Sequence, residues 1–283
     1  MVPITRSPDR PITRSSISPA SPRLPAEVLS YYRTLFDHWG PQNWWPAESL
    51  LEVIVGAYLT QNTNWGNVEK AIANLKQAKA LSIKTLREIL VGRLEKLIRP
   101  SGYFRQKARK LKTFIKYLDK NYGGSLVRMF AQPTEKLRAE LLALNGVGPE
   151  TADSILLYAG NHHVFVVDAY TRRVFERHGL ITAKTKYEEI RMMVEEAVSG
   201  AAPGLPAIVE QGIAGANPQP LAVHPQGKDP RHPVSSMSST ARSELAQHYN
   251  ELHALIVRVG NHYCRKTAKC EECPLKEFLP RPL

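Results

Sequence analysis

The chain contains 283 residues, 43% of them hydrophobic, which is enough for one large domain or two small ones. Its 38 Lys and Arg residues exceed its 26 Asp and Glu residues by 12, and this positive charge favours a polyanionic partner. No apolar run approaches the roughly 18 residues that a membrane-spanning helix needs, and the first residues lack the apolar core of a secretory signal. The sequence therefore predicts a soluble intracellular protein with no membrane partner.

Proline marks two segments that lie outside the predicted helices. Six of the 21 prolines fall in residues 1–25, and seven more fall in residues 199–241. Proline lacks an amide hydrogen and interrupts helices and central strands, so packed elements rarely carry it at this density. We expect residues 1–25 to form a disordered tail and residues 199–241 to form a flexible insertion between two helices.

The remaining segments follow helical periodicity. Residues 49–59 are apolar on nearly every face, which predicts a helix buried at the centre of a bundle. Residues 152–159 repeat small and apolar side chains at helical spacing, and Gly160 stands where such a helix would end. A second stripe of this kind occupies residues 245–259, whereas the β-like run at 164–167 is too short and solitary to imply a sheet. The predicted fold class is all-α.

Positive charge is concentrated in residues 93–120, which carry ten basic and two acidic residues, or a net charge of +8. Apolar and aromatic residues interleave with the basic ones, and this pattern predicts an amphipathic helix with one basic face. Such a face can follow a phosphate backbone. The alternative is an ordinary solvated helix face.

A tight turn joins two predicted helices in residues 133–160. Thr134 is a suitable N-cap for the first helix, which is expected to end near residue 144, and Pro149 opens the second helix. Gly146, Val147 and Gly148 lie between them, and the glycines let the backbone approach another molecule closely. Their amides, together with the positive end of the second helix, could bind a phosphate. The pattern is typical of a helix-hairpin-helix motif that contacts DNA.

Four motifs resemble the helix-hairpin-helix (HhH-GPD) DNA glycosylases of the endonuclease III superfamily: LTQNTNW (59–65), LNGVGPETAD (144–153), VVDAYTRRVF (166–175) and CRKTAKCEECP (264–274). The resemblance covers about three quarters of the chain. The WWP sequence at 44–46 and the hairpin variant are most similar to the monofunctional 3-methyladenine glycosylase III-like branch. The resemblance implies a DNA N-glycosylase that acts in base excision repair.

The resemblance implies that Asp168 is the catalytic carboxylate. Cleavage of an N-glycosidic bond builds positive charge on the sugar, and a fixed carboxylate in a dry site stabilises it or orients the attacking water. A plain helix N-cap is the alternative role for this aspartate. Bifunctional members, which also cut the strand, carry a lysine where this chain has Glu150. A carboxylate cannot form a Schiff base, so AP lyase activity is doubtful and water is the expected nucleophile.

The same resemblance assigns residues that would contact the substrate. Trp44, Trp45, Trp65 and Glu150 would line the base pocket, where aromatic faces suit a cationic alkylated base. Packing into the core is the alternative for the tryptophans. Further residues are assigned to the DNA strand. Gln61 and Asn62 would fill the gap left by the flipped base or else act as helix caps, and Arg172 would contact a phosphate or hold Asp168 ionised.

Three cysteines near the C-terminus suggest a metal site. Cys264, Cys270 and Cys273 match three of the four ligands that hold a [4Fe–4S] cluster in the family, but Leu279 stands where the fourth is expected. Three interpretations remain open. The loop holds a cluster with a non-cysteine or exogenous fourth ligand, it holds zinc with His262, or it holds no metal.

Together these features predict two helical subdomains separated by a cleft. Residues 46–160 would form a helical barrel with the hairpin at 134–159, and residues 26–45 and 161–283 would form the second subdomain. The expected partner is duplex DNA with a damaged base, bound by a monomer in the cytoplasm with the nucleoid, or in a nucleus. A glycosylase/AP lyase acting on oxidised pyrimidines and a non-catalytic DNA-binding protein are the alternative functions.

Overall fold

A computed structural model of the protein describes residues 23–42, 47–201, 205 and 242–280. Most of the predicted tail and insertion, and the tryptophans Trp44 and Trp45, lie outside these ranges. Two predicted boundaries are wrong by a few residues. The first helix already begins at Arg23, inside the predicted tail, and the helix before the insertion continues to Ala201.

The described residues form α-helices and no strand, which confirms the all-α prediction. The helices are α1 (Arg23–Trp39), α2 (Leu50–Thr60), α3 (Trp65–Gln77), α4 (Ile83–Glu88), α5 (Val91–Leu97), α6 (Phe104–Tyr122), α7 (Leu126–Phe130), α8 (Thr134–Leu142), α9 (Pro149–Ser154), α10 (Ala169–Arg177), α11 (Tyr187–Ala201) and α12 (Glu244–His262). Short 3₁₀ turns lie at Arg99–Ser101, Cys270–Glu272 and Lys276–Phe278. Among these residues, no helix combines the length and apolarity needed to cross a membrane.

Helix α2 is buried on nearly every side, as its composition predicts. Ser49 caps its N-terminus, where the hydroxyl accepts a hydrogen bond from the Glu52 amide at 3.2 Å. The one acidic residue of this helix, Glu52, is buried and is paired with Lys76 of α3 at 2.9 Å. Because α2 contacts α3, α6 and α9, it forms the centre of that part of the molecule.

Helix α9 does not continue as a regular α-helix. It widens into a π-helical turn at Ile155–Ala159, where the Gly160 amide donates to the carbonyls of Ile155 and Leu156. The apolar spacing of this segment predicted an ordinary helix. Apolar residues of the turn are buried all round, so the wider backbone is stabilised by packing on both sides. π-Helical turns often occur beside functional sites because they redirect side chains.

Helix contacts fall into two groups. Helices α2, α3, α5, α6 and α9 pack together, and α1, α10, α11 and α12 pack together. Helix α12 also contacts the π-helical turn, so it joins the second group to the end of the hairpin. The division into two subdomains at the predicted residue numbers stays a prediction.

Candidate active site

Asp168 lies at the junction between a buried extended segment and helix α10. It is the N-cap of that helix, since its Oδ1 accepts hydrogen bonds from the amide and the hydroxyl of Thr171 at 2.7 and 3.0 Å. The structure therefore confirms the N-cap role that was considered from the sequence. Only one of the two carboxylate oxygens of Asp168 takes part in the cap. The other oxygen, Oδ2, lies 3.6 Å from Nε2 of His253, and the Asp168 side chain is 13% exposed.

Asp168 is held in its charged form despite its near burial. Burial alone would raise the pKa of this carboxyl, but the His253 imidazole and the hydrogen bonds from Thr171 outweigh burial and bring the pKa below its usual value. A carboxylate that stays ionised in a nearly dry site interacts strongly with positive charge that develops beside it.

His253 and Tyr158 complete this buried cluster, and the sequence analysis missed both. His253 comes from α12 and Tyr158 from the π-helical turn, and the Tyr158 hydroxyl lies 2.5 Å from His253 Nδ1. Both side chains are buried. One feature of the sequence could have indicated His253: polar residues interrupt the apolar stripe of α12. Four of them are buried: His248, Asn250, Glu251 and His253.

Glu150 is a second carboxylate near Asp168. It stands in the first turn of α9, and its side chain reaches solvent. The protein around its carboxyl group and the negative charge of Asp168 raise its pKa, which His253 partly opposes. Neighbouring carboxylates with pKa values displaced in opposite directions are typical of sites that need one charged and one protonated acid.

The predicted hairpin is present between α8 and α9. Helix α8 ends at Leu142, two residues before the expected end, and Pro133 rather than Thr134 is its N-cap. Gly146 has φ +83°, a conformation that favours glycine. Val147 is buried, so only its backbone remains for a DNA contact, while the Cα of Gly148 faces open space.

Gln61 links the end of α2 to the hairpin. Its Nε2 donates to the Gly146 carbonyl at 3.1 Å and to the Thr151 hydroxyl at 2.9 Å, and its Oε1 accepts from Lys110 Nζ at 2.6 Å. The next residue, Asn62, is exposed and has φ +53°. Strained polar residues at a loop tip are frequent at functional sites, and insertion into DNA stays a prediction for this pair.

Of the three tryptophans assigned to the base pocket, the structure describes Trp65. Trp44 and Trp45 lie outside the described residues, so their place in a base pocket stays a prediction. Trp65 begins α3, is half-buried and packs against the hydrophobic core. That position agrees with the packing alternative, and a contact between Trp65 and a base also stays a prediction.

The arginines after Asp168 do not pair with it. Arg172 donates to the Thr185 carbonyl at 3.0 Å, and Arg173 donates to the carbonyls of Cys264 and Gly260. The suggestion that Arg172 keeps Asp168 ionised through a salt bridge is therefore wrong, since His253 occupies that place. A phosphate contact by Arg172 stays a prediction.

The basic segment at 93–120 is not the single helix predicted, because it runs from α5 through the turn at Arg99–Ser101 into α6. The charges of α6 do not all face solvent. Lys107 is 2% exposed, and its ammonium group donates to the carbonyls of Leu59 and Ser101 at 2.9 and 2.6 Å. Burial, with a smaller contribution from Lys110, lowers the pKa of Lys107 to about 8. The exposed basic residues of α6 are Arg105, Arg109, Lys116 and Lys120.

The three cysteines line one cavity that opens partly to solvent. Cys264 and Cys273 are buried, none of the three forms a disulfide, and Arg177 donates to Cys264 Sγ at 3.3 Å. Leu279, at the position expected for a fourth cysteine, also lines the cavity. Three thiols converge there, but they do not fit a four-cysteine cluster. No group of three or more His, Cys, Asp or Glu residues forms a complete metal site among the described residues.

The histidine that lines this cavity is His178, whereas the sequence suggested His262. His262 is exposed and does not line the cavity, so the zinc interpretation loses its fourth ligand. His178, the residue after α10, does line the cavity, and its buried Nδ1 has no hydrogen-bond partner among the described residues. Sequence spacing gave no indication of His178, because it lies 86 residues before Cys264.

Comparisons with known proteins all point to DNA repair proteins. The sequence pattern of the HhH-GPD superfamily, described as base excision DNA repair proteins, matches residues 55–199. The chain is 41% identical over 252 residues to the "Putative DNA repair glycosylase MJ1434" of Methanocaldococcus jannaschii, covering 89% of this chain and 94% of that protein. It is 30% identical over 139 residues to endonuclease III of Thermotoga maritima, covering 48% of this chain and 60% of that protein.

Solved structures show the same fold. The crystal structure of H. pylori 3-methyladenine DNA glycosylase (MagIII) bound to 1,N6-ethenoadenine is similar with a TM-score of 0.63 and 27% identity, covering 84% of this chain and 97% of that one. A trapped endonuclease III–DNA covalent intermediate is similar with a TM-score of 0.64 and 17% identity, covering 90% and 95% of the two chains. At that lower identity, the second likeness concerns the fold alone.

Proposed function

The chain belongs to the HhH-GPD superfamily of base excision DNA repair proteins, and we propose that this DNA glycosylase hydrolyses the N-glycosidic bond of an alkylated base in duplex DNA. Its membership confirms the resemblance predicted from its motifs. The similarity to a 3-methyladenine DNA glycosylase at 27% identity supports an alkylated base. The expected product is an abasic site in an uncut strand.

One observation carries the proposal: Asp168 stays ionised in a nearly buried position, with one oxygen used for a cap and the other directed to His253. When the base departs, positive charge develops on the deoxyribose ring. A carboxylate that is already fixed and desolvated stabilises this charge without the cost of reorganising solvent. A non-catalytic DNA-binding module would use Asp168 as a helix cap, but it would have no need of the second oxygen directed to a buried histidine.

Water completes the reaction in this proposal. The N-glycosidic bond breaks, its electron pair leaves with the base, and a water oxygen forms a bond to the sugar carbon. Asp168 Oδ2 orients the water or accepts its proton. Hydrolysis by this route makes no covalent bond between protein and DNA.

Glu150 supports the absence of a lyase step. Bifunctional members of the family carry a lysine at this position, and a carboxylate cannot form the Schiff base. Two other amines of this region have different tasks, since Lys107 donates to two carbonyls and Lys110 donates to Gln61. The protein is therefore proposed to be monofunctional.

Glu150 also fits a cationic substrate. Its raised pKa means that ionisation is costly while the site is empty. An alkylated purine with a positive charge would favour the ionised form and be attracted by it. The three tryptophans assigned to the pocket would add stacking and cation–π attraction of about 1–3 kcal/mol per base.

A gel assay tests the proposed activity. Duplex oligonucleotides would each carry one alkylated, deaminated or oxidised base, and strand breaks would be measured with and without alkali. We expect breaks only after alkali, with the alkylated bases as preferred substrates. Asp168→Asn should reduce base release by about 100-fold or more, because the fixed charge is lost while the shape is kept.

The assay separates the alternative functions. Breaks without alkali, together with a borohydride-trapped adduct, would indicate a glycosylase/AP lyase. Tight binding with no base release from any substrate would indicate a non-catalytic DNA-binding protein. Equal activity of wild type and Asp168→Asn would remove Asp168 from the mechanism. The elution volume of the complex would test the expected binding as a monomer.

For the cysteine loop we propose a [4Fe–4S] cluster with three cysteine ligands. The fourth ligand is then either His178 Nδ1, which lines the same cavity, or a molecule from solution. A bound cluster would hold the loop in place and present Arg265, Lys266 and Lys269 to DNA. Visible absorption with equal amounts of iron and sulfide in protein purified without oxygen would support it, and zinc or no metal would contradict it. His178→Ala distinguishes the two sources of the fourth ligand.

A further inference from the structure

We propose that His253 is a positioning residue for the glycosylase reaction, because it directs an Nε2–H group at the catalytic Asp168 and keeps that carboxylate aimed and charged. The proposal rests on the proposed function only in assigning catalysis to Asp168. The contact itself is a property of the free protein and can be measured without substrate.

The two ring nitrogens of His253 have different partners. Its Nδ1 lies 2.5 Å from the Tyr158 hydroxyl, and its Nε2 lies 3.6 Å from Asp168 Oδ2. The Nε2 atom is fully buried and has no hydrogen-bond partner among the described residues. A buried imidazole nitrogen opposite a carboxylate oxygen is therefore left with the carboxylate as its available partner.

Tyr158 determines which nitrogen carries the proton. Burial, helped by Asp168 and Glu150, raises the pKa of Tyr158 far above its usual value, although Arg242 opposes this. The phenol therefore keeps its proton, and in this proposal it donates that proton to Nδ1 when the imidazole is neutral. Nε2 then carries the hydrogen, which points toward Asp168. A protonated imidazole has hydrogen on both nitrogens, so Nε2–H faces Asp168 in either state.

The other groups described around His253 do not supply a donor to Asp168 Oδ2. Glu150 of α9 is near enough to act on the same charges, and the ring of Phe165 packs edge-on at 6.1 Å. The second oxygen of Asp168 is already used by Thr171. Without His253, the negative charge of Glu150 would act on Asp168 with no imidazole to oppose it.

The gap of 3.6 Å is longer than a hydrogen bond. Hydrogen bonds at catalytic centres are often long in the free enzyme and shorten when the substrate excludes water. We expect the Nε2–H to close on Oδ2 as the sugar becomes positively charged. His253 would not touch the substrate in this scheme, and it acts only through Asp168.

Substitutions that keep or remove the directed donor test the proposal. Gln places an amide nitrogen near the position of Nε2, whereas Asn is shorter and Leu has no donor. In single-turnover base release we expect losses of about 10- to 100-fold for His253→Leu and His253→Asn, the range seen when a partner behind an active group is removed. His253→Gln should recover at least a large part of that loss. Affinity for an abasic duplex should change little.

The pH profile gives a readout that a purely structural role would not move. Since His253 lowers the pKa of Asp168, its replacement by Leu should move the acid limb of the rate to higher pH. His248→Leu is the matched control, because His248 is also buried in α12 and also pairs with a tyrosine hydroxyl, that of Tyr32 at 2.9 Å. It should leave the acid limb unchanged.

Equal rates and equal acid limbs for the Leu, Asn and Gln variants would overturn the proposal, as would the same shift in His248→Leu. If His253→Leu does not fold, the comparison of Gln with Asn decides. If the wild type releases no base, ¹³C NMR titration of the Asp168 carboxyl, assigned with Asp168→Asn, still decides. An Asp168 pKa that rises less in His253→Gln than in His253→Asn would support the proposal, because Gln keeps the donor but not the charge of the imidazole, and identical values would contradict it.

Discussion

Under the proposed function, Asp168 divides its two carboxylate oxygens between folding and chemistry. Oδ1 closes the first turn of α10, and Oδ2 remains for the reaction beside His253. Because the cap fixes the carboxylate, the same hydrogen bonds that start a helix also set the direction of the charge. Glu150, by contrast, is held by no comparable set of donors, and its pKa moves in the opposite direction.

These opposite shifts predict opposite effects on stability. The pKa of Asp168 is lowered on folding, so its contribution is present above its usual value and is lost as the pH falls through the lowered value. The pKa of Glu150 is raised, so ionisation destabilises the fold at neutral pH. Glu150→Gln should therefore raise the free energy of unfolding near pH 7 and leave it unchanged below the usual Glu range, whereas Asp168→Asn should lower it near pH 7.

Urea denaturation from pH 3 to pH 7 measures both effects. Identical pH dependence in the two variants would contradict the assigned shifts.

Glu150→Lys is a gain-of-function prediction at the same position. Bifunctional relatives use a lysine there, and this site already holds an ionised aspartate nearby. We expect the variant to form a borohydride-trapped adduct with an abasic duplex, while the wild type forms none. Lys184→Arg, at an exposed lysine elsewhere, is the control and should not change trapping. A trapped adduct in the wild type would mean that another amine reaches the sugar.

At the scale of elements, the hairpin depends on two glycines for different reasons. Gly146 needs its left-handed φ, and a Cβ there would lie 2.2 Å from Lys110 Cε, which is bonded to Gln61. Gly148 has an ordinary φ of −95°, and no atom lies within 4 Å of a Cβ placed on it. Gly146 therefore serves the folding of the hairpin, and Gly148 leaves open space at the surface, where the proposed function places the DNA backbone.

Alanine substitutions should separate these roles. Gly146→Ala is expected to cost about 1 kcal/mol of stability or more from the left-handed backbone, and to displace Lys110 from Gln61. Gly148→Ala should leave the melting temperature unchanged but weaken binding to duplex DNA. Thermal unfolding and a binding titration measure the two effects. Equal loss of stability in both variants would contradict the distinction.

At the scale of the whole molecule, a buried ionic network connects the hairpin to the segment before Asp168. Arg138 of α8 forms two hydrogen bonds to the fully buried Asp153 and one to Glu188 of α11. The Tyr187 hydroxyl donates to Asp153 at 2.9 Å and accepts from the Val167 amide at 3.3 Å. The network therefore ties the hairpin to the segment that ends at Asp168.

Removal of Arg138 should be far more costly than removal of a surface arginine. Arg138→Met leaves the buried Asp153 charge uncompensated, which costs about 3–5 kcal/mol. Arg87→Met breaks the exposed pair with Asp119 and should cost much less, because solvent screens that pair. Urea denaturation compares them, and the double variant Arg138→Met/Asp153→Leu should recover much of the loss. Similar costs for the two single variants would show that the network is not an anchor.

The sequence allowed the helical fold, the hairpin and the position of Asp168 to be predicted, because these depend on local patterns. His253 was not predictable, since it meets Asp168 only through the packing of α10 against α12, 85 residues later in the chain. Arg138 and Asp153 appear in the sequence as ordinary surface charges. Lys107 was counted with the basic face of the helix, because periodicity alone does not show that its ammonium group donates to two buried carbonyls.

The widened turn at Ile155–Ala159 makes the geometry of the site depend on the number of residues in this segment. A π-helical turn accommodates one residue more than the α-helical turn it replaces. Since each residue rotates an α-helix by about 100°, loss of one residue here would swing Tyr158 away from His253. A relative without the turn would align with this chain only across a one-residue gap. The contact between Tyr158 and His253 thus depends on the length of this segment, and substitution of side chains alone would not reproduce it.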